Sequence, residues 1–257
     1  MRVLTDRFHV GQGTQIGPIT AFPVWTEAKL SINYDTTPVA TLQVSELESP
    51  TIENLNIAST HSFPVLLPEG TVLDGGMQTR VLSRDVLVPT NRSIEVSTLC
   101  VESGRWSGGK RHEVDGRAPL SVISALRGLR QDSRGVRRNQ SELRQQVVWD
   151  SVARYEQSYG RRATSSLNKV MKDEDVLDAV ALDAAMAEVI PTPNSRARKF
   201  AEIVMDTPMD IQSADITGQL MSGFNELVDI KALQPTLRGG AAIHTTVINR
   251  SHELVLA

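Results

Sequence analysis

The sequence predicts an α+β fold: a β-rich amino-terminal half arranged as an antiparallel sandwich or barrel, a helical carboxy-terminal half, and a returning carboxy-terminal strand. Three observations predict it. As far as about residue 104, apolar and polar residues alternate in short runs separated by turn residues, the pattern of half-buried strands. At about residue 105 the composition changes: Arg105 to Lys172 carries about fifteen Lys/Arg against about six acids, and apolar residues then recur at helical spacing. Near the end, Gly239-Gly240 leads into Ala242 to Ile248, an apolar run rich in β-branched residues. The expected organisation is a single domain over 1–257, with a β-rich core over 1–106, a mainly helical part over 107–238 and a strand segment over 239–257.

Taken in order, Ile19 to Trp25 reads as a strand interrupted at Pro23, after a Gly-rich turn from Gly11 to Gly17. Val39 to Val44, Ile52 to Ile57 and Phe63 to Leu67 follow as strands, and Pro68-Glu69-Gly70 as a turn in which Gly70 is free to take positive φ. Val72-Leu73, Thr79 to Leu82, Asp85 to Val88 and Ile94 to Val101 complete the set. Ser107 to Gly116 is Gly-rich and charged and reads as a mobile loop. Pro119 opens a helix at a position where its missing N–H costs nothing. A longer helix spans Gln140 to Tyr159, with Leu143, Val147, Val148, Ser151, Val152 and Tyr155 forming its apolar stripe. Further helices are expected over 164–170, 173–189, 195–205 and 213–228.

At 257 residues the chain buries a core easily, and its net charge of -3 excludes a uniformly basic nucleic-acid binder. Cys100 is the single cysteine, so no internal disulfide forms. No apolar run approaches the ~18 residues that span a bilayer, and the first residues lack a signal peptide's apolar core. A cytoplasmic protein with no membrane association is the expectation.

The chemistry-bearing residues concentrate between Gly75 and Gly109. Gly75-Gly76-Met77-Gln78-Thr79-Arg80 and Cys100-Val101-Glu102-Ser103-Gly104-Arg105-Trp106 place an amide, an acid, two guanidinium groups and an indole around strand ends. Gln78 and Arg80 share one face of a strand, as do Ile94, Val96, Thr98, Cys100 and Glu102. Arginine offers a planar fork to phosphate or carboxylate, and Trp106 a flat face to a base or sugar. Burial of Glu102 would raise its pKa; pairing with Arg80 or Arg105 would lower it. Cys100 reads as a small buried hydrophobe.

Other signatures fail. Gly11-Gln12-Gly13 with Gly17 lacks dinucleotide-loop spacing, and Ser107-Gly108-Gly109-Lys110 lacks the glycine and hydroxyl of a phosphate loop. His9, His61, His112, His244 and His252 are scattered singly, and the Asp-rich segment 173–183 lacks calcium-loop spacing. No metal or cofactor is expected. The arginines from Arg127 to Arg138 lack interleaved aromatics, so nucleic acid is not the favoured partner.

These elements resemble the family of ARG- and rhodanese-phosphatase-associated proteins (ARPP). The resemblance rests on Phe22-Pro23, Leu67-Pro68-Glu69-Gly70, Gly76-Met77-Gln78-Thr79-Arg80, the run Cys100 to Trp106, and Gln146-Val147-Val148-Trp149. It covers about residues 8–155, finds no match beyond Thr164, and meets Thr79 where Asn is more usual. The resemblance implies a role connected with ADP-ribose.

Two readings follow. In the first, the chain binds or processes ADP-ribose or a related NAD-derived nucleotide: Gln78, Arg80, Arg105 and Trp106 hold the ligand, and Glu102 binds ribose hydroxyls or acts as the catalytic acid/base. In the second, the cluster is structural and the chain is a non-catalytic interaction module whose basic helices meet a protein or nucleic-acid partner. A homo-oligomer is compatible with either. The first requires Arg80, Glu102 and Arg105 to converge on an open pocket; the second requires them buried and mutually satisfied.

Overall fold

The computed structural model describes residues 7–16, 19–27, 32–36, 39–127, 140–158, 166–167, 171–172, 194–216, 218–235 and 242–249. The chain divides into two compact units, Asn33–Val176 and Met1–Ile32 with Leu177–Ala257. Two short antiparallel pairs open the second of these: β1 (Phe8–Val10) with β4 (Val24–Thr26), and between them β2 (Thr14–Ile16) with β3 (Ile19–Ala21).

The Asn33–Val176 unit is built on a closed six-stranded barrel. A short 3-10 turn, Val39–Thr41, feeds β5 (Leu42–Ser45), followed by β6 (Asn54–Ser59), β7 (Val65–Leu67), β8 (Thr71–Gly75), β9 (Arg80–Leu82), β10 (Val86–Val88), β11 (Ser93–Cys100) and β12 (Arg111–Arg117). The barrel order is β11-β6-β5-β12-β8-β9, with β7 and β10 paired separately. Closure leaves no open edge among these six strands. Alternation drives it: Leu55 and Ile57 on β6, and Ile94 and Val96 on β11, point inward and meet Val44, Leu73 and Leu82 in one core.

β12 overturns the mobile loop expected over Ser107 to Gly116. It pairs with β5 and β8 and closes the barrel. Its alternation is invisible to hydropathy because its buried residue is His112, flanked by exposed Arg111 and Glu113.

Helix α1 (Leu120–Arg127) starts where Pro119 O accepts from the Val122 and Ile123 N–H groups, and it buries Val122, Ile123 and Leu126. Ile123 packs over Gly70, whose φ of 80° and close neighbour suit glycine. Arg127 is buried against Glu69, with 2.8 Å between Nη2 and Oε2. Helix α2 (Gln140–Ser158) packs on α1 and β11 through Gln145, Val148, Ser151 and Val152.

In the other unit, helix α3 (Asn194–Asp206) precedes β13 (Asp210–Asp215), β14 (Gly218–Phe224), β15 (Val228–Gln234) and β16 (His244–Asn249), an antiparallel sheet in sequence order. Val204, Met209, Met221, Val228, Ile230 and Ala232 form its core. This sheet overturns the helical carboxy-terminal half and the helix expected over 213–228. Among the described residues the helices are few, lie mostly in the middle of the chain, and the fold is β-rich. β14 buries Leu220, Met221, Ser222 and Gly223 consecutively, so period-two alternation is absent from its sequence. The helices expected over 164–170 and 173–189 lie outside the described residues, apart from 166–167. Among the described residues no helix is long and apolar enough to cross a membrane.

Candidate functional site

The stretch singled out in the sequence forms one end of the barrel. The β8–β9 connection carries Gly76 to Thr79, and the β11–β12 connection carries Val101 to Lys110. Gly76 N–H donates to Arg111 O at 2.8 Å and Ser107 N–H to Met77 O at 3.3 Å, stitching the two connections together.

Inside lies a charged layer. Glu46, just past β5, receives both Arg80 Nη2 contacts, at 3.0 Å on Oε1 and 2.9 Å on Oε2. The same Oε1 accepts from Met77 N at 3.0 Å and lies 3.0 Å from His112 Nε2. Arg80 Nη1 donates to Asn54 O at 3.1 Å. The Glu46, Arg80 and His112 side chains are all inaccessible to solvent. Gly76, at φ 51°, lies so close to His112 that an added Cβ would overlap the imidazole. Glycine is required there twice over, by conformation and by space.

Outside lies a second pair. Arg105 Nε donates to Glu102 Oε1 at 2.9 Å and Nη2 to Oε2 at 2.6 Å. Arg105 Nη1 donates to Gly76 O and Ser107 O, both at 2.8 Å, and Nη2 reaches Gly75 O at 3.2 Å. An arginine has five N–H groups, and here all five have acceptors within the chain. Glu102 Oε2 also accepts from Thr79 N at 3.0 Å. Burial pushes the Glu102 carboxyl up, but the Arg105 hydrogen bonds and charge together with the Thr79 N–H outweigh it and hold it below its ordinary value of 4.5. An ionised, doubly clamped carboxylate is a poor proton donor near neutral pH.

The five residues chosen from sequence are therefore brought together, in different states. Arg80 is fully buried and pairs with Glu46, not Glu102. Glu102 pairs with Arg105. Gln78 is buried, its Nε2 donating to Glu102 O at 3.2 Å. Trp106 is 45% exposed, and the Arg80 guanidinium carbon lies 5.7 Å from its ring centroid, within cation–π range. Cys100 is buried, its thiol donating to Glu102 O at 2.7 Å, and burial pushes its pKa up. Among the described residues, no group of three or more His, Cys, Asp or Glu side chains could hold a metal ion.

Sequence reasoning missed Glu46, His112 and Gln145. Gln145 Nε2 donates to Cys100 O at 2.6 Å and its Oε1 accepts from Cys100 N at 2.8 Å, whereas the neighbouring Gln146 donates to Asp150 on its own helix. The signal for His112 is its inward position on β12, available only once that segment is read as a strand.

The two layers give the fold a pH dependence with a definite sign. Burial holds the His112 pKa below its ordinary 6.5, with Glu46 opposing. Arg80 already neutralises Glu46, so a second cation would leave net charge in a dry site. The unfolded chain therefore takes up the His112 proton first, and stability falls as pH drops below about 6.5. Glu102 adds a second loss as pH falls below 4.5. Urea midpoints measured from pH 8 to 4 should decline in this order, and His112→Gln should flatten the upper step; a flat wild-type profile between pH 7 and 5 would contradict the buried neutral imidazole.

A family model for the ARG and Rhodanese-Phosphatase-superfamily-associated Protein domain matches residues 7–211, reaching well beyond the sequence resemblance that stopped near residue 155. No curated protein and no solved structure matches the chain. A match over most of the length settles the affiliation: the chain belongs to the ARPP-1 family.

Proposed function

We propose that the protein is a non-catalytic interaction module in which the Gln78/Arg80/Glu102/Arg105 cluster fastens the loops at one end of the barrel. One observation carries this reading: every N–H of Arg105 is spent on the chain itself. Among the basic helix residues, Arg127 belongs to the fold through Glu69, whereas Arg196 and Lys199 are exposed on α3 and offer positive charge to an acidic protein or a nucleic acid. Arg105→Ala should lower the unfolding free energy by about 2–3 kcal/mol, because it strips a nearly buried carboxylate of its charged partner. Arg196→Glu with Lys199→Glu should leave the melting temperature unchanged and abolish low-salt binding to a single-stranded oligonucleotide or poly-glutamate. Equal binding by the charge-reversed protein would remove this face as the partner site.

A second reading, binding or processing of ADP-ribose or a related NAD-derived nucleotide, has one specific observation in its favour. The exposed Trp106 ring sits against Arg80, and Arg80 Nε and Gln78 Oε1 are buried without a hydrogen-bond partner among the described residues. Calorimetric titration with ADP-ribose, NAD, ADP and ribose 5-phosphate separates the readings. Heat from one ligand that disappears in a folded Trp106→Leu protein supports the nucleotide site, and turnover by wild type but not Glu102→Gln would make it an enzyme. No heat from any of the four leaves the module reading in place.

A further inference from the structure

A groove of about 390 Å³ runs between α3 and the β1–β4 ribbon in the sheet-containing unit. That volume is at the small end of the range for ligand sites. Its wall is an aromatic pair: His9 and Trp25 face each other across the ribbon, their rings stacked with centroids 5.5 Å apart and planes at 28°. Trp25 lines the groove and is half-exposed, at 50%. Phe8 and Met205 line it as well, tied by a 3.3 Å contact from Phe8 N to Met205 Sδ that fixes the ribbon against the helix. Across from the indole stands α3, where Arg198 and Glu202 lie one turn apart on the groove side; Arg196 and Lys199 occupy another face of the helix. Both Arg198 and Glu202 are exposed, and among the described residues neither is held in an ion pair.

We propose that this groove binds a small planar aromatic ring bearing a single anionic group, with the ring stacked on Trp25 and the anion on Arg198. The groove itself supplies the reasons. An indole backed by a stacked imidazole is a flat, preorganised platform, and here it is half-exposed. A guanidinium recognises carboxylate and phosphate alike, as a planar fork. The charge balance sets the number of anions: Glu202 lies beside Arg198, and Glu27 lies 3.9 Å from His9 Nε2. Two carboxylates at the rim repel a polyanion and favour a ligand carrying one acid and a hydrogen-bond donor. The inference goes beyond the interaction-module reading and does not depend on it, since no residue of the barrel takes part.

Ring and anion can come from a nucleoside monophosphate or from an aromatic amino acid-like carboxylate, and the test distinguishes them. The full-length protein is titrated calorimetrically with AMP and with anthranilate, and with adenosine, ribose 5-phosphate and cyclohexanecarboxylate as partial ligands. Binding of AMP or anthranilate is expected, with each partial ligand weaker by about tenfold or more, because each lacks the stacking or the charge. Trp25→Leu and Arg198→Ala change exposed side chains and should keep the wild-type melting temperature, yet each should weaken the bound ligand by about tenfold or more. The indole N–H signal of Trp25, assigned by its loss in Trp25→Leu, should shift on titration. Silence from both AMP and anthranilate overturns the proposal, as does binding that both variants retain. Charge reversal at Arg196 and Lys199 tests the module reading separately, because neither residue lines this groove.

Discussion

Replacing Glu46 by alanine is expected to lower the unfolding free energy by about 3–5 kcal/mol, the cost of leaving a buried charge without its partner. Arg80 has no access to solvent, and Glu46 takes two of its contacts at 3.0 Å or less. The same substitution strips the Met77 N–H and His112 Nε2 of their acceptor. Urea denaturation should show a lower midpoint at unchanged slope. The informative companion is Glu46→Leu with Arg80→Met, which removes both charges and refills the space. That double variant should recover much of the loss, because desolvating an ion pair costs nearly as much as the pair returns. A single-variant cost below about 1 kcal/mol would mean that water reaches the guanidinium in solution, contrary to its complete burial.

The second large effect is expected at Gly76. Gly76→Ala should cost about 3 kcal/mol, the sum of a left-handed backbone penalty of about 1 kcal/mol and an overpacking penalty of about 2. The backbone part follows from φ 51° and the packing part from the overlap of the new Cβ with the His112 ring. His112 cannot step aside freely, since Nε2 is held on Glu46 and Nδ1 lies 3.3 Å from Leu73 O. Gly104 provides the control. It has φ 84° with nothing within 4 Å of an added Cβ, so Gly104→Ala should cost only the backbone part, about 1 kcal/mol. Equal losses at the two glycines, measured by thermal or urea unfolding, would show that the imidazole is not the obstacle.

The two halves of the fold differ in what their residues disclose, for reasons visible strand by strand. β6 and β11 alternate cleanly because one side meets the core and the other meets water, so their periods stand in the sequence. β12 turns a histidine inward, β13 is exposed along nearly its whole length, and β14 is buried on both sides. None of the three carries an apolar alternation, so the sequence reads the β12 segment as a loop and residues 213–228 as a helix. The site shows the same division. That Gln78, Arg80, Glu102, Arg105 and Trp106 gather at strand ends follows from parity and local spacing. Which acid meets which arginine does not, because Glu46 reaches Arg80 across 34 residues through barrel register. Local spacing supplies the pair from Glu102 to Arg105; only closure supplies the other.

The Gln145 contact has a consequence for how the barrel and its helices hold together. Along β11, Thr98 N–H donates to Glu53 O at 2.7 Å, and two residues later the same side of the strand offers Cys100 N–H and C=O. There the β6 chain no longer supplies partners, and one side-chain amide takes the place of the missing strand residue. Helix α2 thus contributes a stand-in rung to the sheet's ladder. Lifting the helix would strand two main-chain groups and uncover a stub of pairing-competent edge. The amide proton of Cys100 is accordingly the reporter of that event: its exchange with solvent should keep pace with undocking of α2 rather than with opening of the barrel.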